Sequence, residues 1–241
     1  MKIITLTNET KQNLLENLLK RSTTNYGEYE KTVDSIIQNV KQNKEEAIFD
    51  YNLKFDKCTI TKENFQVTQE EIEDAYKVLD KQFIEVMRRS AANIRTYHEK
   101  QKRNSWFDAK EDGTILGQKI TPMQTVGVYV PGGKAAYPST TLMNVIPAKV
   151  AGVSNIIMTT PAGSDGKVNP ATLAAADIAG VDTIFKVGGA QAIAAMAYGT
   201  EIIPKVDKIV GPGNIYVALA KRAVYGHVSI DSIAGPSEIL V

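Results

Sequence analysis

The chain has 241 residues, 43% of them hydrophobic and 23% charged, which are ordinary values for a globular protein. A formal net charge of +1 gives no reason to expect a nucleic acid or a membrane surface as partner. No apolar run reaches the roughly 18 to 20 residues that span a bilayer, the start does not resemble a signal peptide, and a single cysteine excludes an internal disulfide. We therefore expect a cytoplasmic protein.

The first hundred residues predict a layer of amphipathic helices. Apolar side chains recur at helical spacing in four segments, at residues 8–21, 30–42, 45–55 and 82–102. Thr68 and Glu71 have the spacing of a capping box, in which each side chain satisfies a backbone N–H at a helix start. Another helix is therefore expected after Thr68, and the segment that follows the helices predicts a hairpin or linker with a strand at 115–120.

From residue 126 onward, short apolar strands alternate with helices. Strands are predicted at residues 126–130, 155–159, 183–187, 207–210 and 237–241. Helices are predicted in the gaps, at residues 140–152, 170–179, 190–198 and 214–225. This alternation predicts an α/β fold with a parallel, Rossmann-like sheet that helices cover on both faces.

Three of these strands end in a glycine turn before a helix, at residues 131–133, 188–191 and 211–214. In an open α/β sheet, the turns at the carboxyl ends of the strands line the ligand crevice. Glycine lets a ligand approach the backbone, and a helix start offers unpaired N–H groups that suit a pyrophosphate. We therefore predict a dinucleotide site in which the Gln191 and Asn214 amides bind ribose or nicotinamide and a base lies against Tyr129.

Two features argue against an ordinary Rossmann site. The usual fingerprint G-x-G-x-x-G does not occur. The second predicted strand ends in Thr159 and Thr160, where a dinucleotide-binding protein has an acidic residue for a ribose hydroxyl. The turns therefore predict a dinucleotide site of a less usual kind.

The other reactive side chains give weaker indications. His98 in a predicted helix and His227 before a predicted strand are interpreted as structural or exposed residues. Cys58 has no histidine near it in the sequence, and Lys134 and Glu238 have equally good structural explanations. No group of His, Asp and Glu has the spacing of metal ligands.

Several longer motifs resemble those of the histidinol dehydrogenases. They are VGVYVPGG at 126–133, IPAKVAGV at 146–153, VGGAQA at 187–192, GPGNIYV at 211–217 and AGPSE at 234–238. The match is dense from 126 to 241 and looser in the helical part, through Tyr51, Phe55 and Asp56. Motifs of this length are more specific than any one glycine turn.

The resemblance implies an NAD-dependent, zinc-containing oxidoreductase of histidine biosynthesis, which oxidises L-histidinol to L-histidine through histidinal. It puts Tyr129, Gln191 and Asn214 on positions that contact NAD, and Ser237 on a position that contacts the substrate. The implied fold has two incomplete Rossmann-like, aldehyde-dehydrogenase-like domains in an intertwined homodimer.

The resemblance also predicts how the chain is divided. Residues 1–105 form a helical region of a domain completed after 241, residues 106–125 a linker or hairpin, residues 126–236 the Rossmann-like NAD-contacting domain, and residues 237–241 a strand returning to the first domain. The zinc ligands and the acid/base pair are expected beyond Val241. We therefore expect an inactive N-terminal part, with apolar faces left exposed at Ile36, Val40, Phe83 and Val86.

Two alternatives stay open at this point. The chain could be a non-catalytic module that binds a nucleotide or a partner subunit. It could also be a relative of the aldehyde dehydrogenases that uses the Cys58 thiolate as its nucleophile.

Overall fold

The computed structural model describes residues 5, 7–13, 26–132 and 136–233. After a helical stretch at 8–13, the N-terminal region contains the helices α1 (Gly27–Tyr51), α2 (Gln69–Val78) and α3 (Lys81–Glu99), with a short π-helix at Asn52–Asp56. None of the helices in these described ranges has the length and apolar character needed to cross a membrane. The rest of the predicted first helix, residues 14–21, lies outside the described residues.

Along the chain, an antiparallel hairpin lies between these helices and the main sheet. Its strands are β1 (Trp106–Ala109) and β2 (Ile115–Gln118), and Trp106 pairs with Gln118. All the residues of both strands are exposed. The segment predicted as a hairpin or linker thus contains a hairpin, whose second strand ends at Gln118 rather than at residue 120.

The main sheet has five parallel strands, and its order confirms the predicted α/β fold. The strands are β3 (Thr125–Tyr129), β4 (Asn155–Thr160), β5 (Thr183–Lys186), β6 (Lys208–Val210) and β7 (Ser229–Ile230), in the order β5-β4-β3-β6-β7. The connecting helices are α4 (Pro138–Ala151), α5 (Pro170–Ala179), α6 (Gly189–Tyr198) and α7 (Ile215–Val224). The strand predicted at 237–241 lies outside the described residues.

Side chains alternate across the sheet, so each face has its own apolar core. On β3, Val126 and Val128 pack with α4 and α5, whereas Tyr129 packs in the cluster that includes α6 and α7. On β4, Ile156 and Ile157 divide between the same two clusters. This period of two is that of a sheet with helices on both faces.

The N-terminal helices form an outer layer on both faces. Helix α1 packs on α6 and α7, while α2 packs on α5 and α3 on α4. Ile36 and Val40 are only 5% and 1% exposed, so the expectation that they would be exposed is wrong. The alanine-rich α6 lets α1 approach closely enough to bury them. Phe83 and Val86 are 37% and 41% exposed, as expected.

The predicted capping box also docks α2 onto the sheet. Thr68 accepts from the Glu71 N–H at 3.2 Å, and Glu71 accepts from the Thr68 N–H at 3.0 Å. The other carboxylate oxygen of Glu71 lies 2.6 Å from Nζ of Lys186, which is buried at the end of β5. One carboxylate therefore starts the helix and neutralises a buried cation.

Candidate nucleotide-binding site

The strand order marks one place in the sheet as a ligand crevice. From β3 the chain moves through β4 to the β5 edge, and from β6 it moves the other way to β7. The connection after β3 therefore runs toward one edge of the sheet, and the connection after β6 runs toward the other. Between the carboxyl ends of these two neighbouring strands this leaves a crevice. The glycine turn after β6 lies at this switch point.

A cleft of about 370 Å³ lies at that point. It is lined by all three residues that the motifs predicted for nucleotide binding: Tyr129, Gln191 and Asn214. Gly132 and Gly189, from two of the glycine turns, also line it. The predicted gathering of these residues on one rim of the sheet is therefore present in the structure.

The other wall of the cleft comes from the N-terminal region. Thr32 and Ile36 of α1 line it, together with Phe55 and Asp56 of the π-helix. From the sequence, Phe55 and Asp56 had only a loose resemblance to family motifs, and nothing placed them beside the glycine turns. Only the packing of α1 on α6 brings them there.

Tyr129 holds the start of α6 in place and exposes little of its ring to the cleft. Its hydroxyl accepts a hydrogen bond from the Gly189 N–H at 3.2 Å, which joins the end of β3 to the start of α6. Burial raises the pKa of Tyr129, so the phenol stays protonated at neutral pH. With only 4% of its surface exposed, the ring offers little area against which a base could lie. The predicted stacking role is therefore not supported by this geometry.

The two amide side chains are held differently. Asn214 caps α7, because its Oδ1 accepts from the Val217 N–H at 3.1 Å. Its NH₂ group therefore remains as a donor for a ligand. Gln191 is 1% exposed and folds back over Gly189, where an added Cβ would lie 2.5 Å from the Gln191 Oε1. Gly189 also has a φ of +65°, so both space and backbone conformation favour glycine there.

The start of α6 is suited to an anion. Its N-cap is Gly188, which has no side chain to bond the free N–H groups of the first turn. Gly189 and Ala190 of that turn line the cleft, and because the Gly189 N–H already donates to Tyr129, the donors left for a ligand are the N–H groups that follow it. A phosphate in the cleft would therefore meet backbone donors and the positive end of the helix dipole.

An ion pair between a buried lysine and a more exposed aspartate holds the third glycine turn. Lys221 of α7 pairs with Asp231, which follows β7. The Lys221 Nζ donates to the Gly211 carbonyl at 3.0 Å, and the Gly211 N–H donates to the Asp231 Oδ2 at 2.9 Å. Both polar groups of the Gly211 backbone are thus fixed by one pair. In the sequence, Lys221 and Asp231 belong to the stretches AKR at 220–222 and ID at 230–231, which also resemble the family motifs, but nothing there indicated that the two residues pair.

Comparison with known proteins identifies the family. The family model described as histidinol dehydrogenase matches residues 19–241. The chain belongs to the histidinol dehydrogenase family. The histidinol dehydrogenase of Clostridium acetobutylicum is 55% identical over 226 residues, which cover 94% of this chain and 52% of that protein. That of Bacillus subtilis is 58% identical over 214 residues, covering 89% of this chain and 50% of that protein.

A solved structure of the same family has the same fold. The crystal structure of histidinol dehydrogenase from Elizabethkingia anophelis is 38% identical and superposes with a TM-score of 0.85. The superposition covers 92% of this chain and 51% of that one. The chain therefore spans about half the length of the histidinol dehydrogenases that it matches.

The thiolate mechanism of the aldehyde dehydrogenases is not supported. Cys58 is 1% exposed and does not line the cleft. Burial raises the pKa of its thiol, and the nearby Asp56 carboxylate raises it further. An activated cysteine needs the opposite, an accessible sulfur with a lowered pKa.

Neither histidine belongs to the cleft. The His98 Nδ1 lies 2.7 Å from the Gln101 Oε1 near the end of α3, and His227 stacks on Tyr198 with 4.5 Å between ring centroids. Both therefore have structural surroundings, as interpreted from the sequence. Three predicted candidates, Lys134, Ser237 and Glu238, lie outside the described residues.

The described part of the chain contains no set of ligands for the zinc that is expected of a histidinol dehydrogenase. No three or more His, Cys, Asp or Glu side chains come together there in a group that could hold a metal ion. We therefore assign no zinc ligand to these residues.

Proposed function

We propose that this chain supplies the NAD-binding part of a histidinol dehydrogenase, which oxidises L-histidinol to L-histidine through histidinal. Family membership and the two bacterial relatives support the reaction. The observation that carries NAD binding is the meeting of Tyr129, Gln191 and Asn214 in one cleft at the switch point of the sheet. These are the residues that the family resemblance implies for NAD.

The described residues fit a dinucleotide in shape and polarity. Gly132 and Gly189 of the glycine turns line the cleft with no side chain of their own, and at Gly189 an added Cβ would meet the Gln191 amide. The uncapped start of α6 offers N–H donors to a pyrophosphate, while the Asn214 NH₂ offers one to a ribose or a carboxamide. Bound NAD would supply the hydride acceptor for both oxidation steps. This chain would hold and orient it.

The remaining parts of the proposal are supported by the resemblance alone. We propose zinc as the metal, Ser237 as a residue that contacts L-histidinol, a homodimer as the assembly and the cytoplasm as the location. No residue described here is given a role toward zinc.

Calorimetric titration of the folded chain with NAD tests the central proposal. We expect saturable binding that weakens about tenfold when Gln191 is replaced by Ala, because the side chain lines the cleft. Gln118→Ala, in the exposed hairpin, is the matched control and should bind NAD like the unsubstituted chain. A folded chain that gives no heat with NAD would contradict the proposal.

A further inference from the structure

A carboxylate outside the predicted site faces the same cleft. Asp56 is the last residue of the π-helix Asn52–Asp56, and it lines the cleft with Tyr129 and Asn214. It is partly buried, whereas most aspartates of α1 and its neighbours lie in solvent. Its position in the cleft is not explained by any role that the sequence suggested.

The segment that carries Asp56 is anchored at its base. Asn52 is 1% exposed, and its Nδ2 donates to the Lys186 carbonyl at the end of β5, at 2.8 Å. The π-helix ends at Lys57, whose φ is 56° and whose N–H donates to the Asn52 carbonyl. Short π-helical segments of this kind are frequent at functional sites. The carboxylate is therefore presented by a turn that is fixed to the sheet.

Two lysines of this neighbourhood, Lys57 beside Asp56 in the chain and Lys186 whose carbonyl holds Asn52, already have other partners. The Lys57 Nζ donates to the Lys54 carbonyl at 2.9 Å, and the Lys186 Nζ pairs with Glu71 at 2.6 Å. Across residues 26–132 and 136–233, the structure gives the Asp56 carboxylate no hydrogen bond and no ion pair. Burial alone raises the pKa of Asp56, in agreement with a carboxylate that lacks a cation. Its acceptor sites remain available to a ligand.

The sheet lacks the acidic residue that normally serves this purpose. In dinucleotide-binding folds, an Asp or Glu near the end of the second strand accepts a hydrogen bond from a ribose hydroxyl. Here that strand, β4, ends in Thr159 and Thr160, which are 0% and 2% exposed and offer no carboxylate. A carboxylate supplied by the N-terminal region would fill the same need.

We propose that Asp56 accepts hydrogen bonds from ribose hydroxyls of NAD and that its charge excludes the 2′-phosphate of NADP. This inference rests on the proposed NAD binding and extends it to cofactor specificity. Two hydroxyls on neighbouring carbons match the two oxygens of a carboxylate. A phosphate in their place would put like charges together in a partly desolvated cleft, which disfavours binding.

Titration calorimetry with NAD and with NADP tests the assignment on three forms of the chain. The unsubstituted chain should bind NAD at least about tenfold more tightly than NADP. Asp56→Asn should weaken NAD binding about tenfold, since the acceptor loses its charge. The same substitution should reduce the ratio between the affinities for NAD and NADP. Asp50→Asn, an exposed carboxylate on α1 outside the cleft, is the matched control and should change neither affinity. Circular dichroism establishes that each form is folded, and Asp56→Ser replaces Asp56→Asn if the latter is not.

The outcomes separate this inference from the proposed function. If the folded, unsubstituted chain binds no NAD, the proposed function fails and Asp56 loses its role with it. If the chain binds NAD but binds NADP equally well, only the inference on Asp56 is overturned. The same holds if Asp56→Asn and Asp56→Ser keep both the affinity for NAD and the preference over NADP.

Discussion

At Gly211, directly after β6, the backbone lies close against the carbonyl of Tyr129 at the end of β3. The φ of Gly211 is +114°, and an added Cβ would lie 2.1 Å from the Tyr129 carbonyl oxygen. Backbone atoms cannot yield as a flexible side chain can, so any other residue must push the two strands apart. The cleft lies at this junction, and its shape therefore depends on the absence of one methyl group.

Replacing Gly211 by Ala should reduce the free energy of unfolding by at least about 2 kcal/mol, since a clash adds to the strain of a positive φ. Gly226→Ala is the matched control: its φ is also positive, at +94°, but its Cβ would meet nothing within 4 Å. That substitution should cost only about 1 kcal/mol. Urea unfolding of both variants measures the difference, and equal losses would contradict the role given to the close approach.

The Lys221–Asp231 pair holds the same turn through hydrogen bonds to the Gly211 backbone. Lys221→Met removes the donor to the Gly211 carbonyl and leaves Asp231 without its cation, so we expect a loss of about 2 kcal/mol in unfolding free energy. Lys77→Met is the control, because the Lys77–Asp74 pair is exposed to solvent and should contribute little to the free energy of unfolding. NAD affinity should fall for Lys221→Met alone. Unchanged affinity in a destabilised but folded variant would show that the pair does not shape the cleft.

At the scale of elements, the alternation of short apolar segments with helices predicted four of the five strands of the main sheet, β3 to β6. Short apolar runs predicted β3 and β4, and the glycine turns predicted where α6 and α7 begin. The location of α1 could not be predicted in this way. An apolar stripe that includes Ile36 shows that a helix has a buried face, but it does not show which surface covers that face. For the same reason Asp56 could not be placed in the cleft: its neighbours there come from distant parts of the chain.

Glu71 both caps α2 and pairs with Lys186 of the sheet, and substitutions can separate these two roles. Glu71→Gln should keep the capping box, because Gln also bonds the N-cap N–H, but it leaves the buried Lys186 ammonium without a carboxylate. We expect a loss of about 2 kcal/mol in unfolding free energy. Thr68→Ala, which removes a capping bond and leaves the ion pair, should cost about 1 kcal/mol. Guanidinium chloride would screen the ion pair, so urea unfolding is the measurement. If Glu71→Gln costs no more than Thr68→Ala, the ion pair does not dock the helix.

At the scale of the whole molecule, the N-terminal region and the sheet pack together as one body. Helix α1 covers α6 and α7 on one face, while α2 and α3 cover the other. The cleft takes Tyr129 and Asn214 from the sheet side and Phe55 and Asp56 from the helical side. NAD should therefore stabilise both parts together. With NAD at about 100 times its dissociation constant, the gain is about 2.7 kcal/mol, which raises the melting temperature by roughly 5 to 10 °C for a chain of this size.

We nevertheless expect this chain to bind NAD without oxidising L-histidinol. Removing hydride from an alcohol needs a base to take the hydroxyl proton, and both histidines of the sequence lie outside the cleft, beside Gln101 and Tyr198. Burial raises the pKa of Tyr129, so this cleft residue stays protonated at neutral pH, and the carboxylate of Asp56 in the cleft is the one assigned above to the ribose hydroxyls. We therefore expect NAD to raise the melting temperature while L-histidinol with NAD yields no NADH above background, measured by NADH absorbance. A steady rate that Gln191→Ala reduces and Gln118→Ala does not would show that the chain holds a base for this reaction.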